Sequence, residues 1–119
     1  MNVWLAIAAI NGFIAVAAGA FGAHGLRGVL PPEALHTFDT AARYQMYHAL
    51  ALGLVAVARA YRLAAWAFLA GIVLFCGSLY ALALTGERSF GFITPFGGAA
   101  LLIGWGMLTC WALTNRNRT

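Results

Sequence analysis

Apolar residues fill four long stretches of this chain, and most polar residues lie between them. The stretches cover residues 3–22, 40–60, 63–85 and 93–113. Each can supply the roughly 20 helical residues needed to cross a hydrocarbon core about 30 Å thick. The apolar runs are continuous, without an alternation of apolar and polar positions, which favours helices over barrel strands. The pattern predicts an all-α integral membrane protein, a single domain over residues 1–119 that forms a bundle of four transmembrane helices.

Composition agrees with a membrane location. Of the 119 residues, 63% are hydrophobic and 8% are charged, and the mean hydropathy is +0.84. A chain with so few polar side chains cannot cover the surface of a water-soluble globule of this size. The net charge is +4, but the basic residues do not cluster into the kind of basic face that binds nucleic acids. No nucleic-acid partner is therefore expected.

The basic residues indicate an orientation. Arg59 and Arg62 flank the turn between the second and third stretches, and Arg116 and Arg118 lie in the C-terminal tail, with no acidic residue near either pair. Positively charged connections tend to stay on the cytoplasmic side. We therefore expect both termini to be cytoplasmic, with the first and third connections outside.

Small and weakly polar residues recur at helical spacing in three of the stretches. Such positions let another helix approach closely, and they favour tight packing over a channel lining. The residues expected to pack in this way are Asn11, Gly19, Gly22, Gly71, Ser78, Gly97 and Gly104. At the start of the fourth stretch, Thr94 is expected to cap the helix and Pro95 to occupy its first turn.

The richest polar chemistry follows Pro31 and Pro32. Residues 33–52 read EALHTFDTAARYQMYHALAL, and they can form one helix or a short interfacial helix, over 32–39, that bends into the second span. On a helical wheel one set of polar residues falls within roughly 140° of arc, with His48 just beyond its edge. This polar stripe consists of His36, Asp39, Thr40, Arg43, Tyr44 and Tyr47.

Two partnerships are expected along this helix. Asp39 and Arg43 are four residues apart with the acid first, which favours an ion pair. His48 lies roughly 12 Å deeper than Thr40 if the helix is straight, so its ring needs a hydrogen-bonding partner. A neutral ring bonded to Tyr44 or to another span is the simplest arrangement.

No cofactor, metal site or catalytic group is expected. His24, His36 and His48 should share one leaflet, but they are twelve residues apart each time and form no local ligand pattern. Whether they converge on a cofactor stays open. No serine or cysteine has a base at a recognisable spacing, so we expect a protein without enzymatic activity.

Four separated blocks carry a resemblance to a known family. They read GAFGAHGL, LHTFDTAARYQMYHALAL, FCGSLYAL and FITPFGG, the last followed by GW. In this order they resemble the YgdD-like family of small membrane proteins, the domain of unknown function 423, over nearly the whole chain. The resemblance implies a compact four-helix protein of the bacterial inner (plasma) membrane. It implies no agreed activity, and so it transfers no catalytic role.

Two functions therefore stay open. The favoured one is a structural or accessory subunit that packs against itself, as a homo-oligomer, or against a larger membrane protein complex. The alternative is a protein that binds or transports a lipid, a quinone or a solute at a polar site in the outer half of the membrane. The residues expected to form that site are His24, Arg43, Tyr44, Gln45, Tyr47 and His48. Membrane lipids are expected partners in both cases.

Overall fold

The computed structural model describes residues 1–115, and every regular element in them is a helix. The helices are α1 (Val3–His24), α2 (Pro32–Ala58), α3 (Arg62–Gly71), α4 (Gly77–Thr85) and α5 (Thr94–Thr114). A π-helical segment, Ile72–Cys76, joins α3 to α4, and a short 3-10 helix, Arg88–Phe92, precedes α5. The prediction of an all-helical chain is confirmed. Arg116 and Arg118, on which part of the predicted orientation rests, lie outside the described residues.

The helix ends follow local chemistry. Asn2 caps α1, because its side-chain oxygen accepts the Leu5 N–H over 3.0 Å. Pro31 is extended, and Pro32 then starts α2 with a fixed φ and no N–H to satisfy. Because α2 runs without a break from Pro32 to Ala58, residues 32–39 belong to it and form no separate interfacial helix.

Three helices are long and apolar enough to cross a membrane. They are Val3–His24, Arg62–Thr85, which combines α3, the π segment and α4, and Arg88–Thr114. The 27 residues of α2 extend about 40 Å, which is also sufficient length. Nevertheless α2 is not among the three, because polar residues occupy much of its N-terminal half. A fourth crossing therefore stays a prediction.

The most polar of the long helices lies at the centre of the molecule. α1 packs mainly along α2, the combined helix Arg62–Thr85 packs on α2 as well, and α5 lies against α3 and the π segment. Nine side chains of α2 are buried, and those of Ala41, Ala51 and Leu52 have almost no exposed surface. The molecule measures 53 × 27 × 20 Å, so it is a flat bundle.

Glycines let α5 approach the combined helix closely. A Cβ at Gly97 would collide with the backbone of Phe75 in the π segment, and a Cβ at Gly71 would collide with the Leu101 side chain. A Cβ at Gly104 would come within 2.7 Å of the Phe68 ring. These three expected packing positions therefore make their contacts inside the chain.

The other expected packing positions differ in how tightly they fit. A Cβ added at Gly22 would lie 2.7 Å from the ring of Phe38. A Cβ added at Gly19 would have no neighbour nearer than Ala42, at 4.0 Å. Asn11 and Ser78 act through hydrogen bonds instead. The hydroxyl groups of Ser78 and Thr94 lie 2.6 Å apart and connect α4 to α5.

The predicted cap of α5 is wrong. Thr94 is already helical, and Ile93, at the cap position, has helical backbone angles and no side-chain bond to the helix. The preceding 3-10 helix leads straight into α5, so no extended residue is available to turn a hydroxyl towards the free N–H groups. Pro95 does lie in the first turn, as expected.

Replacing Gly97 with alanine should destabilise the bundle by about 1–3 kcal/mol, because the methyl group forces two backbones apart. Gly106 is the matched control on the same helix, since a Cβ there meets nothing within 4 Å. Gly106→Ala should leave the melting temperature in detergent unchanged or slightly higher. Equal melting temperatures for the two variants would contradict the packing described here.

Candidate ligand-binding groove

His48 is the polar centre of the contact between α2 and α5. Its Nδ1 lies 2.7 Å from the backbone carbonyl oxygen of Tyr44, and the indole N–H of Trp105 donates to its Nε2 over 3.1 Å. A carbonyl can only accept and an indole N–H can only donate. The ring is therefore neutral, with its proton on Nδ1, and both nitrogens are already bonded.

Aromatic rings surround this histidine. The ring centroids of Phe68 and Trp105 lie 5.9 and 6.0 Å from that of His48. Tyr44 stacks near His48 at 6.0 Å and contacts Phe75 at 4.9 Å. Edge and tilted contacts of this kind are favourable beyond the area they bury, so the cluster fixes the position of the imidazole.

A groove of about 730 Å³ opens beside the pair of His48 and Trp105. It lies between α2 and α5 and is mostly apolar. Its walls are formed by Tyr44, Tyr47, His48, Phe75, Pro95, Gly98, Ala99, Leu101, Leu102 and Trp105. Volumes of 300–1,000 Å³ are typical of sites for small molecules. Tyr47 and Leu102 are exposed at its rim, so the groove is accessible from the side of the bundle.

Gln45 faces away from the groove, towards α1 and α4. Its side-chain N–H donates to the Asn11 side-chain oxygen over 3.1 Å, and its own oxygen accepts from the Tyr80 hydroxyl over 2.8 Å. Asn11 in turn donates to the Ile7 carbonyl. These bonds tie three helices together, and no buried side-chain nitrogen or oxygen in residues 1–115 lacks a partner.

Asp39 and Arg43 form an ion pair near the start of α2. The Arg43 Nε and a carboxylate oxygen of Asp39 are 2.7 Å apart, and the two side chains are 66% and 50% exposed. An exposed pair of this type contributes little to the stability of the bundle. Arg43 points out of the bundle and does not line the groove.

His24, His36 and His48 do not lie together in one site. His24 ends α1 and is exposed, and His36 is exposed on a small cleft beside Arg27. Over the described part of the chain, no three His, Cys, Asp or Glu side chains stand close enough to hold a metal ion. The six residues predicted to form one site are therefore divided: Tyr44, Tyr47 and His48 line the groove, Gln45 is internal, and His24 and Arg43 are outside.

Sequence reasoning missed the partners of the polar groups. Trp105, Tyr80 and Phe75 come from the third and fourth stretches, far along the chain from α2. A signal existed for two of them, because a Trp N–H or a Tyr O–H in an apolar span needs an acceptor. The acceptors available in the second stretch are few, and His48 and Gln45 are two of them.

Comparison with known proteins decides the family. A family model described as "Protein of unknown function (DUF423)" matches residues 18–98. The chain belongs to the DUF423 family. The UPF0382 membrane protein YwdK of Bacillus subtilis (strain 168) is 44% identical, over 95% of this chain and 98% of its own length. The UPF0382 inner membrane protein YgdD of Escherichia coli (strain K12) is also 44% identical, over 92% of this chain and 88% of its own.

A UPF0382 membrane protein of Haemophilus influenzae is 45% identical, over 87% of this chain and 88% of its own length. No solved structure matches. This member of DUF423 is thus a membrane protein, as the resemblance of the four blocks implied.

Replacing Tyr80 with phenylalanine should lower the free energy of unfolding by about 1 kcal/mol, because the buried Gln45 oxygen loses its donor. Tyr61→Phe is the matched control, since the Tyr61 hydroxyl is exposed and lies 3.3 Å from that of Thr114. Unfolding by titration with a denaturing detergent measures both. A loss in the Tyr61 variant as large as in the Tyr80 variant would refute the interior network.

Proposed function

We propose that this protein binds an amphiphile dissolved in the membrane, one with a flat ring as head group such as a quinone, in the groove between α2 and α5. The observation that carries the proposal is the aromatic wall of a 730 Å³ groove that opens sideways from the bundle. A ligand could enter it from the bilayer without passing through water.

The lining favours a flat, conjugated head group. Tyr44, Tyr47, Phe75 and Trp105 offer ring faces and edges, against which another ring can stack. The floor is held in place by the bond between Trp105 and His48, so little ordering is left to occur on binding.

Small residues create the space, and leucines extend it. Gly98 and Ala99 of α5 leave a depression opposite Tyr44 and Phe75. Leu101 and Leu102 continue the apolar wall beyond it, where a hydrocarbon tail could lie. The lining offers rings and hydroxyl groups rather than an acid paired with a base, so we propose binding without catalysis.

A second candidate, the accessory subunit that packs against itself or a larger complex, is favoured by another surface. A shallow groove of about 400 Å³ runs between α1 and α2, and Gly12 lies in it with open space around its Cα. Small residues on an exposed face let a further helix approach. Gly22, Gly71, Gly97 and Gly104 do not support this function, because they are covered within the chain.

We also propose that α2 crosses the membrane, which gives four spans in the bacterial inner membrane with both termini cytoplasmic. The connections on either side favour this arrangement: Pro31 and Glu33 share a cleft with Gly86 and Arg88, so the first and third connections lie at one end of the bundle. Arg59 and Arg62 lie at the other end, where the positive-inside rule places the cytoplasm. The E. coli relative is named an inner membrane protein.

Filling the groove should weaken ligand binding strongly. Ala99→Phe places a ring in the depression without a backbone conflict, because Ala99 is exposed. Decylubiquinone added to the purified protein in detergent should bind the parent chain in native mass spectra and bind Ala99→Phe at least tenfold more weakly. Ala112→Phe is the matched control, exposed on the same helix but away from the groove.

Equal binding by all three proteins, or by none, would overturn the groove proposal. The same spectra give the oligomeric state. A stable dimer that binds no quinone, and that dissociates when Gly12 is replaced by leucine, would favour the accessory subunit instead.

Cysteines at Val29 and Ser89 test the number of crossings. In a background without Cys76 and Cys110, an impermeant reagent outside the cell should label both positions, because four spans put both connections on one side. A chain in which α2 does not cross would place the two cysteines on opposite sides. Asn117→Cys, beyond the described residues, should be labelled only after the membrane is opened.

A further inference from the structure

A second cavity lies at the opposite end of the molecule from the acidic residues. It encloses about 730 Å³, and it is bounded by the start of α1 and by the turn between α2 and α3. The residues around it are Met1, Asn2, Val3, Trp4, Ile7, Ala56, Arg59, Arg62 and Trp66. It shares no residue with the groove beside His48.

The charge at this cavity is positive. Arg59 and Arg62 both line it, and neither forms a salt bridge within the described residues. The acidic side chains of the chain are Glu33, Asp39 and Glu87, which lie at the far end, near the first and third connections. Among residues 1–115 no carboxylate pairs with these two guanidinium groups. Such groups attract an anion, and a planar guanidinium matches a phosphate in geometry.

Two helices begin and one ends beside this cavity. α1 begins at Val3 and α3 at Arg62, with the positive ends of their dipoles near the cavity, and α2 ends at Ala58 with its negative end near the same cavity. Tyr61, at the cap position of α3, makes no side-chain bond to the first free N–H groups of that helix. These N–H groups can hydrogen-bond an anion seated between the two arginines.

Arg59 occupies a backbone conformation that favours glycine. Its φ is 57° and its ψ is 43°, the left-handed region, and it is the one non-glycine residue with positive φ in residues 1–115. Helices commonly end in this conformation with a glycine, because a Cβ is strained there. The arginine is therefore less stable than glycine at this position, an observation that favours a role for its side chain.

The cavity also has an apolar side. Trp4 and Trp66 form an edge-to-face pair with ring centroids 5.0 Å apart, and Trp66 is largely exposed. Tryptophan is enriched where the headgroup region of a bilayer meets the hydrocarbon. A ligand held here would place an anionic group at the arginines and an apolar chain along the tryptophans.

We propose that this cavity is a binding site for the phosphate headgroup of an anionic phospholipid. Arg59 and Arg62 hold the phosphate, and Trp4 and Trp66 contact the start of the acyl chains. The proposal does not depend on the groove between α2 and α5, because the two sites are at different places in the bundle.

Native mass spectrometry of the full chain in detergent tests this site, with phosphatidylglycerol and phosphatidylcholine of identical acyl chains as the probes. The parent protein should retain phosphatidylglycerol preferentially. Arg62→Gln should weaken that retention about fivefold, the effect of one basic residue near a phospholipid headgroup. Arg88→Gln, in the connection at the other end, is the matched control and should retain the lipid as the parent does.

Arg59→Gly separates binding from folding. Glycine relieves the left-handed strain, so the melting temperature should stay the same or rise while retention of phosphatidylglycerol falls about fivefold. Equal retention of the two lipids, or unchanged retention in both arginine variants, would overturn the proposal. Binding of inorganic phosphate alone as tightly as phosphatidylglycerol would also overturn it, because the acyl chains would then contribute nothing and the cavity would be a site for the free ion.

Discussion

The polar side chains of α2 need partners that neither lipid nor α2 itself can provide, and the arrangement of the other helices meets that need. Asn11 of α1 and Tyr80 of α4 bond to Gln45, and Trp105 of α5 bonds to His48. An amide or imidazole without a partner is costly in an apolar interior, so each bond restricts where its helix can lie. The most polar helix is central for this reason.

Close approach of the backbones makes the bond between His48 and Trp105 attainable. Gly97 and Gly104 let α5 lie directly against the π segment and Phe68, which brings the Trp105 indole to the ring of His48. A π segment carries an extra residue per turn, and such segments are often found at functional sites. Here it lies beside the groove and supplies Phe75, one of the ring walls.

Much of the fold could be read from the sequence, because it depends on local pattern. The apolar stretches predict the ends of the long helices to within two residues, except that α2 begins at Pro32 and not at residue 40. The spacing of Asp39 and Arg43 is enough to bring them together. The sequence does not show which helix covers a glycine-rich face. Such a face looks the same whether a second chain or a distant part of the same chain covers it, and at Gly71 and Gly97 the same chain does.

The candidate site was predicted only in part for a related reason. The predicted site grouped Tyr44, Gln45 and His48, but Gln45 contacts α1 and α4 while His48 contacts α5. The neighbours on each side decide which polar group becomes internal, and periodicity within α2 contains no information about them. The π segment could not be predicted from the sequence either, because its residues, IVLFC, are ordinary in an apolar helix.

The bond between His48 and Trp105 has a consequence for the synthesis and membrane insertion of the protein. The two residues are 57 positions apart, so His48 is synthesised well before the indole exists. During that interval the Asn11 side chain can already accept the hydrogen bond from Gln45. The Nε2 of His48 still lacks its Trp105 donor, so water or the insertion machinery must provide one. α5, which is synthesised after the other helices described here, therefore completes the interior, and a truncated chain that ends before Trp105 should be a substrate for membrane quality control.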